Sequence, residues 1–264
     1  MIRKLSVVSG MKGNLRSVLL DSISEMKARW GACSLKLSTE DAAMSLDQIK
    51  YWARLCKDFL PVIVKIGGPN ARNDIRQLVQ LDVSGLIAPM VESSFGLENF
   101  MEALGDYTTP LRFKALEKHI NIETATAVMQ LDSILDSPAV KFIDEITVGR
   151  RDLSRSMGLS VENHLIESTV REIIQKIKKR NIKISLGGGV IPETIDGMIE
   201  TYGLDQFNTR IMSFRVDPSL SYREAVYSAL EFEVMALKND ALRGFISHDE
   251  EKCRVMELQK RLAH

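Results

Sequence analysis

Scarcity narrows the class of this chain before any motif does. It carries three cysteines, Cys33, Cys56 and Cys253. They are too few and too scattered for a disulfide framework, and none falls in a CxxC zinc spacing, so a reducing cytoplasm is the expected compartment. Net charge is also absent, since 35 Lys and Arg balance 35 Asp and Glu. No overall field then draws the chain to nucleic acid or to an anionic membrane surface, and neither is expected as a partner. A long hydrophobic run is missing as well. The stretch MIRKLSVVSGMKGNLRSV returns to polar residues after a short apolar patch, which predicts neither a signal peptide nor a membrane span. No Gly/Ser-rich linker or low-complexity tract divides the chain.

What is present is enough for a full core. With 264 residues, 45% of them hydrophobic and 27% charged, the chain needs no disulfide or metal to fold. Short β-branched runs alternate with segments of helical period, the pattern of βα units. Candidate strands are LSVVS (5–9), CSLKLS (33–38), VIVKIG (62–67), GLIAPM (85–90), FKALEKHINIE (113–123), DEITVG (144–149), IKISLGG (182–188) and QFNTRIM (206–212). Eight strands, nearly every one followed by a helical segment, predict a (β/α)8 TIM barrel rather than an open doubly wound sheet. The barrel core is assigned to residues 1–217. Residues 218–264 form a C-terminal extension of two helices with apolar faces, packed on the barrel or on a neighbouring subunit.

The segment HINIETATAVMQLDSIL ends a strand-like run on Glu123, where a helix is about to begin. Asp152, in EITVGRRDLSRSMG, follows the next strand. In a barrel the C-terminal strand ends converge on the active site, so two carboxylates on consecutive ends can meet around one Mg²⁺ or Mn²⁺. From position alone a structural role is as good: Glu123 as a helix N-terminal carboxylate, Asp152 as a helix cap.

The surrounding residues decide between these. INIETATAVMQLDSIL, LIAPMVESSFGLENF and ITVGRRDLSRSMG, in order, resemble the HpcH/HpaI aldolase and citrate lyase beta-subunit family, barrels of the phosphoenolpyruvate-dependent superfamily. The likeness is good over roughly residues 33–160 and elsewhere follows only the barrel layout. It implies that Glu123 and Asp152 bind Mg²⁺ or Mn²⁺, and that the backbone amides of Arg151 and Asp152 receive the carboxylate of a pyruvate-like substrate. A positive centre in a partly dry site is what an enolate oxygen requires.

The chain also departs from that family. Where members carry an arginine on the third strand, PVIVKIGGPNARND has Lys65, which keeps the charge and loses the planar fork. Lys65 steadies the enolate in this reading; a Schiff-base lysine at the same place is the covalent alternative, and a barrel lysine merely paired with a neighbouring carboxylate the structural one. Arg72, a few residues on, is a candidate replacement for the guanidinium. At the second strand end, LKLSTEDAAMSLDQI offers Glu40 and Asp41 where aldolase members often have a histidine. An acidic pair favours the lyase-like branch, with one carboxylate as base or water-orienting group, although both can simply cap the next helix. Glu92 in APMVES is a candidate substrate or second-layer contact, or a helix-start carboxylate. His119 reads as a satisfied barrel histidine. The glycines of SLGGGVIPETI allow close approach of a phosphate, a CoA diphosphate or a carboxylate, or serve a tight turn.

The expectation is therefore a divalent-metal-dependent carbon–carbon lyase or aldolase acting on an oxo acid, a hydroxy acid or an acyl-CoA thioester, and assembled as a homo-oligomer. Phosphoenolpyruvate mutase or hydrolase chemistry and a non-catalytic ligand-binding barrel are the alternatives.

Overall fold

The computed structural model describes residues 15–262. The described residues open on helix α1 (Leu15–Trp30), whose buried residues Leu19, Ile23, Met26 and Trp30 recur at helical spacing and form one apolar stripe. Then follow β1 (Ala32–Ser38), α2 (Leu46–Cys56), β2 (Val62–Lys65), α3 (Arg72–Leu78), β3 (Gly85–Ala88), α4 (Ser94–Tyr107) and α5 (Pro110–Ala115). The middle of the chain holds β4 (Glu117–Ile122), α6 (Ala125–Met129), α7 (Leu131–Asp136), β5 (Glu145–Gly149), α8 (Arg150–Ser156) and α9 (His164–Lys178). It closes with β6 (Lys183–Gly187), α10 (Ile195–Tyr202), β7 (Gln206–Asn208), β8 (Met212–Arg215), α11 (Arg223–Leu242) and α12 (His248–Leu262).

The strands close into one barrel in the order β1 to β8. Ladders from β1 through β7 are parallel, and the crossover helices lie on the outside, as the alternation of strand and helix predicts. One strand departs from the expected layout. The segment 206–212, read from the sequence as a single strand, is two strands joined by a tight turn, and β8 runs antiparallel to both β7 and β1. The cause is local: the Thr209 hydroxyl accepts from the Met212 amide at 3.1 Å, and the Thr209 amide donates to the Met212 carbonyl at 2.9 Å, which reverses the chain. The Phe207 and Phe214 rings then stack across the ladder at 5.0 Å, with Tyr222 edge-on to Phe207 at 5.1 Å. The predicted strand at 5–9 lies outside the described residues. The predicted start of the strand at 113 is also corrected: Thr109 caps α5 and Pro110 occupies its first turn, so residues 113–115 are helical.

Aliphatic side chains such as Ile146, Val148, Ile184 and Leu186 are fully buried in the core cluster, while the alternate residues of the same strands are polar. Those polar residues form one connected set inside the barrel. The Ser185 hydroxyl donates to Glu145 at 2.6 Å and shares a bond with Thr147 at 2.8 Å; Asn208 donates to Ser185 at 2.9 Å; Ser213 donates to Asn208 at 2.6 Å. Each buried polar group so paired avoids the desolvation penalty of an unmade bond. Burial pushes the thiols of Cys33 and Cys56 up to about 12, which keeps these two unreactive.

The C-terminal helices pack on the chain's own barrel. Asp240 of α11 accepts from Gln48 at 2.8 Å and Trp52 at 2.9 Å on α2, and α12 folds back with Leu258 only 2% exposed. Among the described residues no helix is long and apolar enough to cross a membrane.

Candidate active site

A cavity of about 620 Å³ opens at the C-terminal ends of the strands, the face where barrels carry chemistry. Glu123, Asp152, Lys65, Glu40, Asp41 and Arg151 all line it. Arg210, Lys36, Asn121 and the glycines 187–189 join them, with Glu257 and Leu258 of α12 at the rim.

Glu123 is 3% exposed and held from two sides. One carboxylate oxygen accepts the Met90 amide at 3.0 Å, the other the Asn121 side-chain amide at 3.1 Å. To aim that amide, Met90 adopts a left-handed φ of 53°, an uncommon conformation for a side-chain-bearing residue and a small local strain. Gly149, which ends β5, makes room. A Cβ there would lie 2.5 Å from the Glu123 Oε2. Burial raises the Glu123 carboxyl above its ordinary value; the Met90 bond and Lys65 pull it back, and the charge on Asp152 raises it again. Asp152 sits in the first turn of α8, with Arg155 at 4.0 Å.

Lys65 ends β2 between the two acidic residues, 2.7 Å from Glu40 and 3.3 Å from Asp41. Burial works against its ammonium, but Asp41 and Glu40 outweigh it and hold the lysine above its ordinary pKa. Partial desolvation works against the Asp41 carboxylate too, yet Lys65, the Ser38 hydroxyl and Arg210 keep its carboxyl below the ordinary range. The loop is shaped by Ser38, whose hydroxyl accepts the amides of Glu40 and Asp41, both at 3.1 Å. A carboxylate with a depressed pKa is a weak base, so Asp41 is better suited to fixing Lys65 than to taking a proton.

Two expected site residues lie elsewhere. Arg72 does not line the cavity; it pairs with Glu102 and Asp106 of α4 and lies over the Tyr107 ring, because α3 starts on the barrel's outside and carries it there. Glu92 does not line it either. Its carboxylate accepts the Thr124 hydroxyl at 2.6 Å, and Thr124 caps α6, so Glu92 braces the residue after Glu123 from behind. His119 bonds Glu117 at 3.1 Å within the barrel wall.

Two basic residues were missed. Arg210, from the turn between β7 and β8, points its Nε at Asp41 (3.8 Å) and at buried Glu233 (3.7 Å). Reading 206–212 as one strand concealed that turn. Lys36 was legible, since S-L-K-L-S places it in the same inward row as Ser34 and Ser38.

The glycine loop packs on the start of α8. A Cβ on Gly188, whose φ is 76°, would lie 2.6 Å from the Arg151 amide nitrogen and 3.2 Å from that of Arg150. Glycine thus keeps the space beside helix N-terminal amides open, and such amides lack intrahelical partners.

The donor set suits a hard cation. Among the described residues no group of three or more His, Cys, Asp or Glu is placed to hold a metal. Two carboxylates lining one cavity, Glu123 raised by burial and to a lesser degree by the charge on Asp152, fit an ion of the Mg²⁺ type that takes its remaining ligands from water and substrate.

The chain matches the HpcH/HpaI aldolase/citrate lyase family over residues 38–186, more than half its length. Its fold is similar to that of the HpcH/HpaI aldolase from Desulfitobacterium hafniense DCB-2, with 16% identity, 73% of this chain and 80% of that one covered, and a TM-score of 0.60. It is also similar to citrate synthase SbnG, with 17% identity, 84% and 90% coverage and a TM-score of 0.59. An HpcH/Hpal aldolase/citrate lyase family protein from Burkholderia cenocepacia J2315 gives 14% identity, 80% and 88% coverage, and a TM-score of 0.59. None of the curated proteins compared with the chain matches it.

Proposed function

Since the chain belongs to the HpcH/HpaI aldolase/citrate lyase family, a family of lyase- and aldolase-type enzymes, we propose that it makes or breaks a carbon–carbon bond with the help of a divalent metal, through the enolate of a pyruvate-like or acyl group. The substrate class is an oxo acid, a hydroxy acid or its CoA thioester. The observation that carries this reading is the buried Glu123 carboxylate, fitted against Gly149 and charge-coupled to Asp152 in the first turn of α8, just after the next strand.

Glu123 and Asp152 would hold Mg²⁺ or Mn²⁺, which when bound supplies positive charge to a substrate oxygen without a proton transfer. The chain's own residues do the rest. The substrate carboxylate lies against the amides of Arg151 and Asp152, beside the space that Gly188 leaves. Lys65, fixed by Glu40 and Asp41, presents a permanent ammonium to the oxygen on which negative charge develops. Arg210 holds Asp41 from the far side, so the cationic wall is built before substrate arrives and needs no reorganisation during reaction.

The test is exchange of the pyruvate methyl protons in D₂O, followed by NMR with Mg²⁺ and after EDTA treatment, beside calorimetric titration with Mn²⁺. Exchange is expected only with the metal. Lys65→Met should slow it about a hundred- to a thousandfold, as loss of one charge contact to a transition state does, and Lys65→Arg should retain more. Mn²⁺ binding undiminished in both Glu123→Ala and Asp152→Ala would refute the metal assignment.

A further inference from the structure

Two lysines face the same cavity in opposite electrostatic states. In the β1–β2 ladder Ser38 stands opposite Lys65 and Lys36 opposite Ile63, so Lys36 is rooted two residues deeper in the barrel. Lys65 is clamped by two carboxylates. Lys36 lines the cavity, but among the described residues its amine has no hydrogen bond and no carboxylate at ion-pair distance.

The charged groups acting on Lys36 are Lys65 from β2, Glu145 from β5, Asp41 from the loop after β1 and Glu123 at the end of β4. Burial and the Lys65 ammonium oppose its charge and the three carboxylates favour it. The first two prevail and bring the amine down to about 8. A lysine so lowered spends more of its time neutral near pH 7 than an ordinary lysine does. An amine desolvated beside a fixed cation is how a lysine becomes a nucleophile. Lys65 lacks that property, because its own partners hold it protonated.

We propose that Lys36 is a carbonyl-reactive amine, capturing a 2-oxo acid or an aldehyde in this cavity as an imine without need of a metal ion. Its nitrogen lone pair attacks the carbonyl carbon, and the carbonyl π pair moves to oxygen, which takes a proton from water. The resulting carbinolamine loses that oxygen as water and becomes a protonated imine, with one proton drawn from solvent in the overall step. The C=N⁺ group then withdraws electrons from the adjacent carbon, the same activation that an enolate-forming site provides. The substrate carboxylate would lie in the field of Lys65, which is rooted two residues nearer the strand ends than Lys36. The site thus has a second, covalent way to hold a carbonyl compound, independent of the Glu123 and Asp152 reading.

Borohydride trapping decides it. Full-length protein freed of metal with EDTA is incubated with pyruvate and reduced with borohydride, with borohydride alone as control, and its mass and peptides are mapped. One reduced pyruvate adduct on Lys36 is expected, with trapping that increases as pH rises toward 8. Lys36→Arg and Lys36→Met should lose the adduct, and Lys65→Met should slow trapping at pH 7, because removing the neighbouring cation restores the proton to Lys36. Circular dichroism and Mn²⁺ titration on the Lys36 variants show that the fold and the carboxylate pair persist, which separates this result from the metal reading. No adduct on the wild-type protein, an adduct on another lysine, or trapping unchanged in both Lys36 variants would overturn the proposal.

Discussion

Glu123 shows how a functional side chain can work against stability. Its carboxyl is raised above the ordinary range, first by burial and then by Asp152. A raised carboxyl favours the folded state only while it is protonated; that contribution is present at pH below the unfolded value and is lost as pH rises through the folded one. Once ionised, Glu123 therefore destabilises the metal-free protein. Glu123→Gln should raise its melting temperature at pH 7, with the gain vanishing as pH falls through the raised carboxyl value. The same change should weaken Mn²⁺ binding by more than the ~10–100-fold that loss of an outer partner costs. The variant's amide can be satisfied, because the Asn121 Oδ1 is buried with no partner and would accept it after a flip of that side chain. A melting temperature lowered at pH 7 in thermal scans would contradict this account.

At the scale of elements, α12 is the part of the fold that touches the site from outside the barrel. Its first turn is acidic, with Asp249, Glu250 and Glu251, as helix N-termini prefer, and Leu258 is the buried anchor on the turn whose Glu257 reaches the cavity. Truncating a buried leucine costs about 2–5 kcal/mol, and a peripheral helix absorbs such a loss by opening locally before the barrel does. Leu258→Ala should accelerate amide exchange across 248–262 by tenfold or more while β4 to β6 keep their protection. Uniform loss of protection in hydrogen-exchange mass spectrometry would show instead that α12 and the barrel unfold together.

For the whole molecule, self-association is the expectation that charge and surface support. The net charge is zero and the isoelectric point about 6.9, so no long-range repulsion keeps copies apart near neutrality. Phe95, Leu111 and Met129 are 69%, 80% and 77% exposed, and large apolar side chains left in water mark candidate contacts. Light scattering at micromolar concentration should give a homo-oligomer. Phe95→Glu combined with Met129→Glu should shift the mass toward monomer, and a monomeric wild-type chain at that concentration would refute the expectation.

The barrel was legible in the sequence because alternating strand and helix periods are local properties: burial on both faces of a strand leaves β-branched runs, and turn residues mark their ends. That Glu123 and Asp152 face one cavity was legible for a related reason, since strand ends in a barrel converge whatever the loops do. What the tertiary structure alone decided was which charges meet. Arg72 and Lys65 stand seven residues apart, yet one faces the α4 carboxylates outside the barrel and the other the cavity. Arg210 reaches Asp41 only because a threonine-clamped turn, rather than a continuous strand, follows Asn208. Lys36 and Lys65 are both inward-facing lysines by pattern; their opposite protonation tendencies come from which carboxylates lie within a few ångströms, a property of packing across strands that no single stretch of sequence contains.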